Sequence, residues 1–287
     1  MAEVRIAKGW KDYSLLNTGN GEKEEKWGQF ILRRPEPQAV WPVYGSWERA
    51  HAIYHRSSSG GGRWEYLQKV PEKWTISYKN LKFNIETMGF KHTGLFPEQA
   101  VNWDYMCDRI AGTQENPSIL NLFAYTGGAT AACASSGASV CHVDSAKGMV
   151  KRAKENLELS GLADKPVRFI VDDAKKFVQR EIRRGNKYDG ILMDPPAYGR
   201  GPSGELWKIE DALYELVELC SELISDSPLF FIINTYASTL TPLLMENILD
   251  MTLVKKYGGT PTTYELGIMS ASNGIILPCG FTGRWEP

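Results

Sequence analysis

The sequence has few of the residues that build metal centres and disulfide frameworks. It contains 5 cysteines and 4 histidines among its 287 residues. The cysteines are odd in number, stand singly in apolar contexts and form no CxxC pair. This pattern favours buried thiols in a reducing compartment over disulfides or zinc ligands. We therefore expect no metal site.

Long apolar runs and an excess of one charge are also lacking. No run of about 18 apolar residues is present, which excludes a membrane-spanning helix, and the first segment has no apolar core typical of a secretory signal. With 33 Lys+Arg against 34 Asp+Glu the net charge is −1, which excludes a globally basic, histone-like binder. A hydrophobic content of 43% excludes a disordered chain. We expect a cytoplasmic globular protein.

Residues 1–85 differ in composition from the rest of the chain. They carry 14 Lys+Arg against 9 Asp+Glu, a net charge of +5, and 6 of the 9 tryptophans. Strand-like segments at 27–33 and 74–85, with a flexible loop at 57–62, predict a small β-rich N-terminal domain. Basic residues among aromatic ones are typical of surfaces that bind nucleic acid. Tryptophans that fill the thin core of a small domain explain the same composition, and both interpretations stay open.

From about residue 100, predicted strands alternate with helices. The strands lie at 118–123, 139–144, 167–171, 188–194 and 229–234, and the helices at 129–136, 146–159, 174–184 and 209–224. Two further strands, at 263–269 and 274–278, have little helix between them. The alternation predicts a doubly wound, Rossmann-like α/β domain over residues 86–287, with a mostly parallel seven-stranded sheet and an antiparallel edge.

Ligands of such sheets bind at the carboxyl ends of the strands, where this sequence places several polar residues. Two glycines, Gly127 and Gly128, follow the first strand; they allow a close backbone approach but do not make a dinucleotide fingerprint. Asp144 follows the second strand and either binds both hydroxyls of a ribose or caps the next helix. Of Asp172 and Asp173, after the third strand, one could cap a helix; we assign Asp173 to an adenine amino group.

The fourth strand ends in Asp194-Pro195-Pro196, followed after one residue by Tyr198. The two prolines fix the backbone, so that the Pro195 carbonyl and the Asp194 carboxylate form a pair of acceptors suited to an exocyclic amine. The Tyr198 ring can stack on a base. A purely structural turn is the alternative.

Four of these segments, in this order and spacing, resemble class I S-adenosylmethionine-dependent methyltransferases. More narrowly, they are similar to the large-subunit ribosomal RNA methyltransferases that make 5-methylcytosine or 7-methylguanine. The resemblance covers roughly residues 86–250. It is carried by the segments at 92–99, 120–130, 169–177 and 189–201.

The resemblance implies S-adenosyl-L-methionine as the cofactor and a set of residues that contact it. That set is Phe96, Gln99, Asn121, Phe123, Ala124, Tyr125, Thr126, Gly127, Gly128, Asp144, Ser145, Asp172, Asp173, Ala174 and Asp194. It also implies that Asp194 and Pro195 bind the edge of the target base. With the turn and the ring described above, we predict Asp194, Pro195, Pro196 and Tyr198 as the catalytic residues.

The sequence departs from this family at one chemically important place. The cytosine-modifying relatives carry a nucleophilic cysteine after the fifth strand, where this chain has Asn234-Thr235-Tyr236, and Ala197 follows Pro196. Since the covalent route needs a thiolate, we expect direct in-line transfer to a nucleobase in ribosomal RNA. The alternatives are a methyltransferase for a protein amide or a small-molecule amine, a non-catalytic RNA-binding module, and a nucleotide-dependent oxidoreductase.

Overall fold

The structure is a computed structural model that describes residues 3–57, 61–113, 115–200, 204 and 206–287. Its chain divides into two compact units. The α/β unit consists of Met1–Arg5, Asn102–Leu266 and Gly280–Pro287, and the β unit of Ile6–Val101 and Gly267–Cys279. The domain boundary expected after residue 85 stays a prediction.

The described residues form strands and helices in the following order. The strands are β1 Glu3–Ile6, β2 Tyr13–Gly19, β3 Glu22–Trp27, β4 Phe30–Pro35, β5 Ala52–Arg56, β6 Gly62–Tyr66, β7 Trp74–Tyr78, β8 Leu81–Ile85, β9 Ser118–Leu122, β10 Ser139–Asp144, β11 Val167–Val171, β12 Gly190–Met193, β13 Tyr198–Arg200, β14 Leu206–Lys208, β15 Phe230–Thr235, β16 Thr260–Met269 and β17 Ile276–Glu286. The α-helices are α1 Ala100–Ala111, α2 Gly128–Ser135, α3 Lys147–Leu159, α4 Ala174–Arg184, α5 Ile209–Ser221, α6 Pro242–Leu249 and α7 Lys255–Tyr257. A 3-10 helix, Pro97–Gln99, precedes α1, and a π-helical stretch, Asp250–Val254, joins α6 to α7.

The main sheet has the strand order β1-β16-β17-β15-β12-β9-β10-β11. Strands β15, β12, β9, β10 and β11 pair in parallel, and β17 runs antiparallel to β15. The predicted Rossmann-like fold with an antiparallel edge is therefore confirmed. The sheet has eight strands where the sequence predicts seven. The additional edge strand is β1, which is at most half-buried and, although its residues alternate between charged and apolar, is only four residues long.

Helices cover the parallel strands of the α/β unit. Every residue of β12 and β15 is buried, as expected for strands packed on both faces. On α5, Leu213, Leu216 and Cys220 recur every three or four residues and are buried in the same core cluster. No helix in the described part of the chain is long and apolar enough to cross a bilayer.

The β unit contains a five-stranded sheet of order β2-β3-β4-β5-β6 and the β7–β8 hairpin. The prediction of one strand over residues 27–33 is wrong, because β3 ends at Trp27 and the chain turns through Gly28, whose φ is 65°. A glycine in the left-handed region reverses the chain at little cost, although apolar residues stand on both sides of it. The predicted loop at 57–62 joins the antiparallel strands β5 and β6, and its residues 58–60 lie outside the described ranges.

Candidate cofactor and acceptor site

The loops that follow β9, β10, β11 and β12 meet at the side of the main sheet where these parallel strands have their carboxyl ends. Main-chain hydrogen bonds join them: Ala124 N donates to Val143 O at 3.1 Å, and Asp172 N to Asp144 O at 3.1 Å. Asp194 N donates to Leu122 O at 3.4 Å. The structure thus brings together the residues predicted at the ends of four strands, all within the α/β unit.

The turn after β9 has an unusual backbone. Phe123 and Tyr125 have φ values of 53° and 50°, and Gly127 has 80°. The left-handed region is uncommon for residues other than glycine and costs about 1–3 kcal/mol for each such residue. Backbone strain of this kind clusters at ligand-binding sites. The turn leads directly into α2, whose first N–H groups lie at this edge of the sheet.

Gly127 and Gly128 are also required by packing. A Cβ atom on Gly127 would lie 2.8 Å from the Cβ of Ala153 on α3. A Cβ atom on Gly128 would lie 2.6 Å from the Trp103 ring on α1. From the sequence alone, the approach of a ligand is the expected reason for these glycines. The structure adds a second cause, the close packing of α2 against two neighbouring helices.

Asp144 is held by two main-chain donors. Its Oδ2 accepts from Tyr125 N and its Oδ1 from Ala146 N, both at 2.8 Å. Burial raises the pKa of Asp144, and these two hydrogen bonds oppose the rise. Each carboxylate oxygen accepts more than one hydrogen bond, so the arrangement fits a pair of ribose hydroxyls. Asp144 is not the N-cap of α3, since that position belongs to Ala146, and Ser145 is exposed.

The two aspartates after β11 each have a structural partner. Asp173 is the N-cap of α4, and its Oδ1 accepts from Lys176 N at 2.9 Å. Asp172 accepts from Asp173 N at 2.9 Å and forms an ion pair with Arg180. The capping role therefore falls to Asp173, the residue assigned to adenine, while Ala174 begins α4 and is buried. Binding of adenine by Asp173 stays a prediction.

The segment after β12 combines acceptors with aromatic rings. Pro195 is buried and Pro196 is exposed, and the Pro196 carbonyl accepts from Trp207 Nε1 at 2.6 Å. Tyr198, on the β13–β14 hairpin, is 59% exposed. Trp207 packs against Phe123 with ring centroids 5.1 Å apart. Trp207 is not among the predicted site residues, although it stands in the same predicted loop as Tyr198 and is aromatic.

The Asp194 side chain contacts a residue that was not predicted as part of the site. Asn234, at the end of β15, donates from Nδ2 to Asp194 Oδ1 at 3.0 Å. In the sequence this residue is notable only as standing where some relatives carry a thiol. The structure gives it a direct contact with the acceptor carboxylate.

None of the five cysteines follows a strand at this edge of the sheet. They lie in α1, α2, β10, α5 and β17, at Cys107, Cys133, Cys141, Cys220 and Cys279. Burial raises the pKa of Cys141 to about 11 and also raises the pKa values of Cys133, Cys220 and Cys279. These four thiols are therefore protonated at neutral pH and unsuited to nucleophilic attack. The described residues also contain no group of three or more potential metal ligands.

The other predicted cofactor residues lie in different settings. Asn121 is buried and donates to Thr130 Oγ1 at 2.9 Å, and that oxygen lies 2.9 Å from His142 Nδ1. Phe96 and Gln99 belong to the β unit, where Gln99 N donates to Phe96 O at 3.1 Å. Contacts between these three residues and the cofactor stay predictions.

Comparison with known proteins identifies the family. A family described as S-adenosylmethionine-dependent methyltransferase matches residues 5–253. The chain belongs to this family. The crystal structure of a SAM-dependent methyltransferase from Agrobacterium tumefaciens matches with a TM-score of 0.95 and 36% identity, covering 99% of this chain and 93% of that one. A putative methyltransferase from Streptococcus mutans shares the fold, with a TM-score of 0.74, 18% identity and coverage of 96% and 76%.

Curated relatives match a smaller share of their own length. The ribosomal RNA large subunit methyltransferase K/L of Syntrophotalea carbinolica is 27% identical over 218 residues, which is 73% of this chain and 30% of that protein. This chain thus spans less than a third of that relative. The predictions of the family, of methyl transfer and of S-adenosyl-L-methionine as cofactor are confirmed by the family match.

Proposed function

We propose that this S-adenosylmethionine-dependent methyltransferase acts in the cytoplasm on a nitrogen of a nucleobase in ribosomal RNA, by direct transfer without a covalent enzyme intermediate. The observation that carries the proposal is the acceptor segment after β12. There Asp194 and Pro195 directly follow the strand, and Tyr198, three residues further along the chain, has a ring that is 59% exposed. The name of the Syntrophotalea relative supports RNA as the substrate class.

The residues at the ends of β9, β10 and β11 would bind the cofactor. S-adenosyl-L-methionine, when bound, supplies a methyl group attached to a positively charged sulfur. The turn from Phe123 to Gly128 would surround its methionine part, Asp144 would bind the ribose, and Asp173 would accept from the adenine amino group. The two main-chain donors to Asp144 fix its carboxylate for this role.

The acceptor residues would orient the target nitrogen. An exocyclic amine donates two hydrogen bonds, and Asp194 and the Pro195 carbonyl offer two acceptors. Hydrogen bonding to the carboxylate increases the electron density on the nitrogen, and Asp194 or water can take up the proton that the amine loses. Tyr198 would stack on the base. Catalysis would then rest mainly on positioning, which agrees with the finding that none of the five cysteines directly follows β9, β10, β11, β12 or β15.

The β unit would contribute RNA affinity. Residues 1–85 carry a net charge of +5, and their segment between β4 and β5 displays Tyr44 at 62% exposure. A net positive charge and an exposed ring suit a polyanion with stackable bases. Deleting residues 1–85 is a poor test of this role, because it would also remove β1 from the main sheet.

Methyl transfer from tritiated S-adenosyl-L-methionine tests the proposal, with unmodified ribosomal RNA and unmodified cell protein offered in parallel. We expect label in RNA, and a fall of about 100-fold or more for Asp194→Ala. The matched control is Asp164→Ala, which removes an exposed aspartate elsewhere in the α/β unit. Label in protein alone would favour the amide-methylating alternative, and label in neither acceptor would contradict the proposal.

A further inference from the structure

A continuous chain of hydrogen bonds runs from Asp194 into the interior of the α/β unit. Asn234 Nδ2 donates to Asp194 Oδ1 at 3.0 Å, and Thr282 Oγ1 donates to Asn234 Oδ1 at 3.1 Å. Asn102 Nδ2 donates to Thr282 Oγ1 at 3.0 Å, and Tyr264 OH donates to Asn102 Oδ1 at 2.8 Å. The four residues beyond Asp194 come from β15, β17, α1 and β16.

The direction of every hydrogen bond in this chain follows from its end at Asp194. An ionised carboxylate only accepts, so Asn234 must present its NH₂ group to Asp194 and its carbonyl oxygen to Thr282. Thr282 must then donate its one hydroxyl proton to Asn234 and accept from Asn102. Asn102 is thereby oriented with its carbonyl oxygen towards Tyr264, which donates. Both amide orientations and both hydroxyl rotors are set by one charge.

This hydrogen-bond chain is buried, and none of its members beyond Asp194 carries a charge. The exposed fractions are 2% for Asn234, 3% for Asn102 and 0% for both Thr282 and Tyr264. In such an environment hydrogen bonds polarise one another, and an unpaired group is costly.

The far end of the chain is fixed by cations. The Tyr264 ring lies under the guanidinium of Arg5 at 3.8 Å and near that of Arg284 at 5.5 Å. Burial raises the pKa of Tyr264, so its hydroxyl stays protonated and available as a donor at neutral pH.

We infer that Asn234, Thr282, Asn102 and Tyr264 are positioning residues, which together hold the Asp194 carboxylate in one orientation and favour its ionised form. The inference rests on the proposed function only in so far as Asp194 receives the target amine. It assigns to β17, which lies beyond the matched family region at 5–253, a part in aligning the acceptor site. Thr282 acts here through Asn234 and touches no reacting atom.

The test is a carboxyl-carbon NMR titration of the full-length protein labelled with ¹³C-aspartate, with the Asp194 signal assigned from Asp194→Asn. Thr282→Val keeps the shape of the side chain but removes the hydroxyl that orients Asn234. We expect it to raise the pKa of Asp194 by roughly half a unit to one unit, because the carboxylate loses an oriented donor. Thr282→Ser, which restores the hydroxyl, should return the wild-type pKa.

Thr252→Val is the matched control. Thr252 is also buried, but its hydroxyl donates to Ile248 O within its own helical segment. An unchanged Asp194 titration in Thr282→Val, or an equal shift in Thr252→Val, would overturn the inference. If Thr282→Val does not fold, Tyr264→Phe tests the same chain from its far end, and a wild-type Asp194 pKa in that variant would count against it.

The titration needs no methyl acceptor, which separates this inference from the proposed function. If wild-type protein methylates no RNA but the Asp194 pKa responds to Thr282→Val, the substrate proposal fails and the positioning role stands. If RNA is methylated and the pKa does not respond, the reverse holds. Where both stand, Thr282→Val should lower kcat by about tenfold with an unchanged dissociation constant for the cofactor.

Discussion

The β unit holds a cluster of buried charges, whereas the side chains that connect Asp194 to Tyr264 in the α/β unit are neutral amides and hydroxyls. In the β unit Glu25 is 0% exposed, and its Oε1 accepts from Tyr13 OH at 2.9 Å and its Oε2 from Arg34 Nε at 2.7 Å. Lys23 Nζ lies 3.6 Å from Glu25, and Arg34 Nη1 donates to Lys91 O at 2.8 Å. We call Glu25, Arg34, Lys23 and Tyr13 the ionic cluster.

The two arrangements respond differently to the loss of one member. An ion in the interior has lost its hydration, and removing its partner leaves an uncompensated charge. A neutral donor that loses its partner costs less, because only one hydrogen bond is left unmade. The neutral chain, by which we mean Asn234, Thr282, Asn102 and Tyr264, therefore suits the acceptor site. It orients Asp194 without placing a second charge beside it. The ionic cluster is better suited to fixing the pairing of strands.

Breaking the ionic cluster should have the largest effect on stability. We expect Glu25→Ala to lower the free energy of unfolding by about 3–5 kcal/mol, because the buried Arg34 would lose its carboxylate partner, whereas Lys23 keeps Glu36 at 3.2 Å. Urea denaturation measures this. The control, Glu155→Ala, removes a half-buried carboxylate 3.9 Å from Lys151 and should change stability by about 0.5 kcal/mol or less. Similar losses of unfolding free energy in Glu25→Ala and Glu155→Ala would contradict the special importance of the ionic cluster.

Breaking the neutral chain should cost less. Tyr264→Phe removes one hydroxyl donor from Asn102 and should lower the free energy of unfolding by about 1–3 kcal/mol. The measurement is again urea denaturation, with Tyr214→Phe as control because Tyr214 is 40% exposed on α5. A loss as large as that of Glu25→Ala would remove the distinction between charged and neutral interiors.

The smallest of the three expected effects is a difference in the pH dependence of stability between Glu25→Gln and the wild-type protein. Burial alone would raise the pKa of Glu25, but Arg34 and Lys23 outweigh it and the pKa is lowered. A carboxyl with a lowered folded pKa contributes stability that is complete above its unfolded pKa, about 4.3, and is lost as the pH falls through the folded value.

Glu25→Gln should therefore lose less stability than the wild-type protein on acidification below about pH 4.3. Urea denaturation of the variant and of the wild-type protein at the same series of pH values checks this. Parallel curves for Glu25→Gln and the wild type would show that the ionic cluster does not titrate in this range.

The sequence predicts the parts of the fold that depend on local periodicity. The five parallel strands and the helices between them lie within a few residues of their predicted positions, because buried strands and amphipathic helices leave strong patterns. The turn at Gly28 was missed because it interrupts an apolar run, and β1 because four partly exposed residues form a strand only beside β16.

In the site, too, the residues with a local sequence pattern were predicted and those that depend on distant packing were not. Residues that directly follow strands, such as Asp144 and Asp194, were found because the sheet topology places them at one edge. Asn102, Tyr264 and Thr282 were not, since they are separated by up to 180 residues along the chain and come together only through the packing of α1 against the last two strands. Side-chain contacts of that range leave no local pattern in a single sequence.

The packing of Gly127 against Ala153 has an evolutionary consequence. The two positions share a space that holds one methyl group, so a larger side chain at one can be accommodated only if the other shrinks. Because φ at Gly127 is 80°, replacing it also strains the backbone, and the exchange is therefore one-sided. Position 127 is therefore restricted to glycine, and position 153 can change only to glycine, at a cost of about 1 kcal/mol inside α3.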